Sequence, residues 1–158
     1  MLHARFFVEK LCLLLVLALG LAVGAGCDAA GQSQTNTSMT SASLDTVITD
    51  GMFKGKEQIS TSGTYDIGRS GQDLMLRLKE DFQTESGPDL YVALSPKASG
   101  KATGNNVMDE PAIRVDSLRA LEGAQLYDLP DDLDLTVFNS VAIQCVQFSH
   151  LYGVAKLE

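Results

Sequence analysis

The stretch Ser140-Val141-Ala142-Ile143-Gln144-Cys145-Val146-Gln147-Phe148-Ser149 constrains the fold more than any other part of the chain. It is rich in β-branched and aromatic residues and holds no Gly or Pro, which predicts a strand. Period-2 alternation places Val141, Ile143 and Cys145 on one face, and Ala142, Gln144, Val146 and Phe148 on the other. Both faces carry apolar side chains, so the strand is central and covered on both sides. The thiol of Cys145 is its one chemically distinctive group.

A chain built around such a strand needs neighbours of the same kind, and residues 46–158 supply them. Short apolar runs at Val47–Phe53, Gly63–Ile67, Leu74–Lys79, Asp89–Leu94, Gln125–Leu129, Leu133–Phe138, Val141–Phe148 and Leu151–Leu157 read as strands. Between them stand turn signals: Asp50-Gly51, Ser62-Gly63, Arg69-Ser70-Gly71, Ser86-Gly87-Pro88 and Pro130-Asp131-Asp132. Spacing near ten residues, with no long segment of helical period, predicts an all-β domain, an antiparallel β-sandwich or barrel. A domain of this size buries about two-thirds of its unfolded surface. Ala98–Pro111, polar and rich in Gly and Asn, reads as a long surface loop, and Ser117–Leu121 as a single helical turn.

The N-terminal part has a different composition. Arg5 and Lys10 precede an apolar run from Leu11 to Val23, then Gly24-Ala25-Gly26 and Cys27. That run is shorter than the roughly 20 residues of a membrane-spanning helix, and the pattern predicts a signal peptide over residues 1–26. Small residues ending in Cys27 resemble the lipobox of bacterial lipoproteins, in which the Cys becomes the acylated first residue. Gly24 stands where that family usually has Leu. Residues 27–45 then form a lipidated Cys and a Ser/Thr-rich tether, spanning roughly 23 Å on average. Loss of Arg5, Lys10 and Glu9 with the signal leaves 10 basic and 19 acidic residues, a net charge of −9. Such a chain is repelled by phosphates, which excludes nucleic-acid binding. The expectation is a protein of the cell envelope, held to a bacterial membrane by its lipid and exposed outside the cytoplasm.

Several segments together resemble a known domain. They are Gly51-Met52-Phe53, Asp81-Phe82, Gly87-Pro88-Asp89-Leu90-Tyr91-Val92, Gln125-Leu126-Tyr127-Asp128-Leu129-Pro130, Ser140 to Cys145, and Gly153-Val154-Ala155-Lys156-Leu157. The chain is similar here to the DM-thirteen domain family, described as an electron-transfer module. The resemblance implies a β-rich fold, a signature cysteine at Cys145, an electron-transfer role and a redox partner protein. Many members have Trp before that cysteine; here the residue is Gln144, which removes an aromatic wall for a prosthetic group.

Residue counts limit the chemistry independently. Cys12 leaves with the signal and Cys27 is taken by lipid, so Cys145 has no intrachain disulfide partner. It is then either a buried apolar residue or a redox thiol. His150 is the only mature histidine, too few for a blue-copper site, and four cysteines for an iron–sulfur cluster are lacking. Zinc sites fail the same count, and Cys-x-x-Cys-His is absent. A b-type haem held by Cys145 or His150 stays open on ligand count alone, so the cofactor is unassigned. In one continuous strand these two residues would point to opposite faces. Gly100-Lys101-Ala102-Thr103-Gly104 has the wrong spacing for a phosphate loop, no Gly-x-Ser-x-Gly elbow occurs, and Asp131, Asp132 and Asp134 lack EF-hand spacing. Tyr91, Tyr127 and Tyr152 read as core-edge residues. Around Cys145, the candidate lining residues are His150, Tyr127 and Asp89. Two functions compete: a redox domain centred on Cys145, and a non-enzymatic binding module in which that cysteine is structural. A carrier with its ligand inside the barrel is a third.

Overall fold

A computed structural model describes residues 43–158; the expected signal peptide, Cys27 and the expected tether up to residue 42 lie outside the described residues. Ten strands follow one another: β1 (Thr46–Gly55), β2 (Thr61–Ser62), β3 (Thr64–Ser70), β4 (Asp73–Leu78), β5 (Gln83–Thr84), β6 (Leu90–Ser95), β7 (Ile113–Ser117), β8 (Gln125–Leu129), β9 (Ser140–Cys145) and β10 (His150–Lys156). Eight of them form one antiparallel sheet in the order β7-β6-β9-β10-β1-β3-β4-β8, and β2 pairs with β5 in a small second sheet. Long β1 joins the two halves: Thr46–Met52 pairs with β3, whereas Phe53–Gly55 pairs with β10. The sheet curls into a nearly closed barrel. No ladder joins its end strands, but side chains of β8 hydrogen-bond the chain leaving β7.

The inward face follows period-2 alternation. Phe53, Tyr65, Ile67, Leu74, Leu76, Leu78, Val92, Leu94, Tyr127, Val141, Ile143 and Cys145 fill one buried cluster. Each fully buried aliphatic side chain contributes about 1.5–3 kcal/mol. A second cluster of Ala102, Val107, Ala142, Leu151 and Val154 lies on the other face of β9 and β10. Strand β9 is central and buried on both faces, every residue of it. The Ala98–Pro111 segment supplies that outer cover. It is irregular, as its composition predicts, yet Ala102 and Val107 dock on the sheet. Ser95 Oγ donates to Val107 O, and Gln144 Nε2 donates to Gly104 O at 2.7 Å.

Three local expectations are corrected. Leu133–Phe138 is not a strand: Asp134 accepts from Thr136 N at 2.9 Å and caps a 3-10 turn at Leu135–Val137. The competing local hydrogen bond of an acidic cap overrides the apolar alternation. Ser117–Leu121 is not helical; Ser117 ends β7, and residues 118–120 form no regular element and are hydrogen-bonded to β8 side chains. The strand Ser140–Ser149 stops at Cys145, and Val146–Ser149 turn the chain into β10 with Ser149 at φ 50°.

Candidate functional site

The strand register brings one set of ends together. Cys145 of β9 is paired with Leu90 at the start of β6 and with His150 at the start of β10. Ser117 at the end of β7 pairs with Tyr91, and Gln125 at the start of β8 pairs with Leu78 at the end of β4. This end is the mouth of the barrel. The chain enters at the other end, where Thr46 pairs with Arg69.

Cys145 is fully buried just inside the mouth. Its thiol donates to Pro88 O at 2.8 Å. Val146 N donates to Asp89 O at 3.3 Å, so the Gly87-Pro88-Asp89-Leu90 turn lies across the sulfur. Asp89 sits at φ 54°, a strained conformation for a residue other than glycine. Arg114 holds the turn from outside, 3.5 Å from Asp89 Oδ1, with its guanidinium 4.2 Å from the centre of the Tyr91 ring. Tyr91 OH donates to Gln144 Oε1 at 3.1 Å. Burial pushes the Tyr91 phenol above its usual range, while the charge of Arg114 pulls it down. Tyr152 leans on Gly87, where an added Cβ would collide with its hydroxyl. Its phenol too is raised, first by burial and then by proximity to Cys145.

Tyr127 belongs to the neighbouring part of the rim. Its hydroxyl donates to Gln125 Oε1 at 2.7 Å and accepts from Arg119 N at 3.2 Å. Gln125 also accepts from Ala120 N and donates to Ala120 O, each at 3.0 Å. This amide hub ties residues 118–120 to β8 and closes the barrel. Arg119 lies over the Tyr127 ring, 4.7 Å from its centre, and pairs with Asp116 at 3.1 Å. Between the two halves of the rim runs an open groove of about 330 Å³, lined by Gly87, Asp89, Leu90 and residues 117–121.

Cys145, Asp89 and Tyr127 therefore share one end of the molecule, but only Asp89 belongs to the turn over the sulfur. His150 is beside Cys145 in the ladder because a hairpin, not a continuous strand, separates them. Its Nε2 lies 3.3 Å from Glu57 Oε2, and the thiol's hydrogen bond goes to a carbonyl. Glu57 itself accepts from Gly104 N at 2.8 Å and Leu151 N at 3.1 Å, joining three segments. Neither Glu57 nor Arg119 carries a sequence signal for this role; the turns that bring them in are not periodic. A haem ligated by Cys145 does not fit, since the sulfur is enclosed by core side chains and the Pro88 turn. Among the described residues no group of three or more His, Cys, Asp or Glu is arranged to hold a metal ion. Asp131 and Asp134 are instead spent on the backbone amides of Leu74 and Thr136.

An eight-stranded, nearly closed β-barrel with a turn clasped over one buried thiol defines the structural class. The family model described as Electron transfer DM13 matches residues 52–157, more than half of the chain. The chain belongs to that family. No curated protein and no solved structure matches it.

Proposed function

We propose that this chain is an electron-transfer domain of the bacterial cell envelope, lipid-anchored at Cys27, in which Cys145 is the redox group and a protein is the partner. The family supports the electron-transfer role. One observation carries the assignment to the thiol: the Gly87-Pro88-Asp89-Leu90 turn and the Val141–Cys145 strand meet at the sulfur through the Pro88 carbonyl. For thiol chemistry the sulfur must reach its partner, so the turn has to open. Two features keep opening inexpensive. Asp89 is strained, and the Asp89–Arg114 pair is half exposed, a kind of contact worth no more than about 1 kcal/mol.

Native-state labelling tests this. A thiol reagent should modify Cys145 in the folded protein, and Cys145→Ser should abolish electron exchange while the fold persists. The second reading, a binding module with a structural cysteine, is favoured by the complete burial of Cys145. It predicts a thiol silent until denaturation, and a cost of about 1–3 kcal/mol for Cys145→Ser. That pattern would remove the redox assignment.

A further inference from the structure

The turn that follows Cys145 puts two apolar side chains into water: Val146 is 39% exposed and Phe148 63%. Turns of this kind ordinarily use Gly, Asn, Asp or Ser. Phe148 belongs to neither core cluster, so the barrel does not require it. The turn has neighbours on two sides. Ser149 N donates to Val146 O and Val146 N to Asp89 O, each at 3.3 Å. Gly104 lies so close to the Ser149 carbonyl that a Cβ there would collide with it. An exposed aromatic with few side-chain torsions loses little entropy on binding and is the residue type that anchors protein interfaces.

The charge around the mouth points to what binds. Asp81, Glu85 and Glu122 are exposed there and make no ion pair among the described residues. Arg114 and Arg119, the cations of the β7 side, are matched by Asp89 and Asp116. Lys56 and Lys79 also stand at this end, Lys79 3.6 Å from Asp66, so the mouth presents carboxylates in excess of cations beside an apolar knob. The described chain enters β1 at the opposite end, where Thr46 pairs with Arg69.

We infer that the mouth is the docking surface for a basic protein, whose cationic rim meets these carboxylates and whose apolar pocket receives Phe148. The inference rests on the electron-transfer reading for the partner's class, a small basic redox protein. Its opposite charge would steer encounter at moderate salt.

Calorimetric titration of the full mature chain with ferricytochrome c, a small basic redox protein, tests it. Binding should weaken severalfold on going from low salt to about 0.15 M. Phe148→Ser should weaken it about tenfold, and Glu122→Gln measurably, since buried aromatic anchors dominate interface energies. Val137→Ser, at the opposite end and 42% exposed, should leave it unchanged. No binding, binding indifferent to Phe148→Ser, or Phe148-dependent association of the chain with itself would overturn the inference. Repeating the titration with Cys145→Ser separates the two claims. Docking should survive that change, so an inert thiol and a failed interface are distinct results.

Discussion

At the scale of single residues, the buried hydroxyls of this protein act mostly as structural fasteners. Tyr127 shows it best: its hydroxyl both donates to Gln125 and accepts from the Arg119 amide. Tyr127→Phe should cost about 1 kcal/mol, measured as a shifted urea midpoint, because Arg119 N keeps its second acceptor on Gln125. A loss of electron exchange at unchanged stability would instead give Tyr127 a part in the chemistry. The tyrosines also set the alkaline limit. Burial raises the phenols of Tyr65, Tyr91, Tyr127 and Tyr152 above their usual value of 10.0 in the folded state. A raised folded value stabilises fully below the unfolded one and is lost as pH rises through the folded one. The urea midpoint should therefore hold as pH approaches 10 and fall above it; a midpoint flat to pH 11.5 would contradict this burial.

At the scale of elements, the Gly87–Leu90 turn and the β9–β10 hairpin control what reaches the sulfur. Gly87→Ala drives a Cβ into the Tyr152 hydroxyl, so the Tyr152 ring or the turn must shift. The expected result is faster labelling of Cys145 together with a loss of about 1–3 kcal/mol in stability. Unchanged labelling would show that the turn does not gate the thiol. These elements also show how far the sequence could be read. Strand β8 is legible to the residue, and β9 up to Cys145, because both faces of β9 are apolar and the inward face of β8 alternates. Strand β7 was not legible: Ile113-Arg114-Val115-Asp116-Ser117 alternates weakly, and as a sheet edge it buries none of its residues fully. The end of β9 was missed because Val146 and Phe148 carry strand-like side chains in a turn fixed by Asp89 and Gly104. Asp89 and Cys145 could be picked out from their segments, and the structure places them at one end of the barrel. Pro88, Glu57, Arg114 and Arg119 could not be assigned their contacts, since those depend on irregular backbone that no periodicity encodes.

At the scale of the whole molecule, charge and polarity separate what holds the protein from what it meets. Its formal charge of −8 disfavours an anionic bilayer, so on the proposed lipoprotein reading membrane attachment comes from covalent lipid. More than one acyl chain is needed for stable anchorage, as in lipidation of an N-terminal cysteine. On the proposed reading Cys27, after Gly24-Ala25-Gly26, is the lipid attachment site, and the Ser/Thr-rich composition after it predicts a tether. The described chain enters the barrel at the end away from Cys145. Cys27→Ala should move the protein from the membrane pellet into the soluble fraction, with the urea midpoint of the barrel unchanged. Retention of the variant in membranes after a high-salt wash would mean that something other than lipid on Cys27 holds it there.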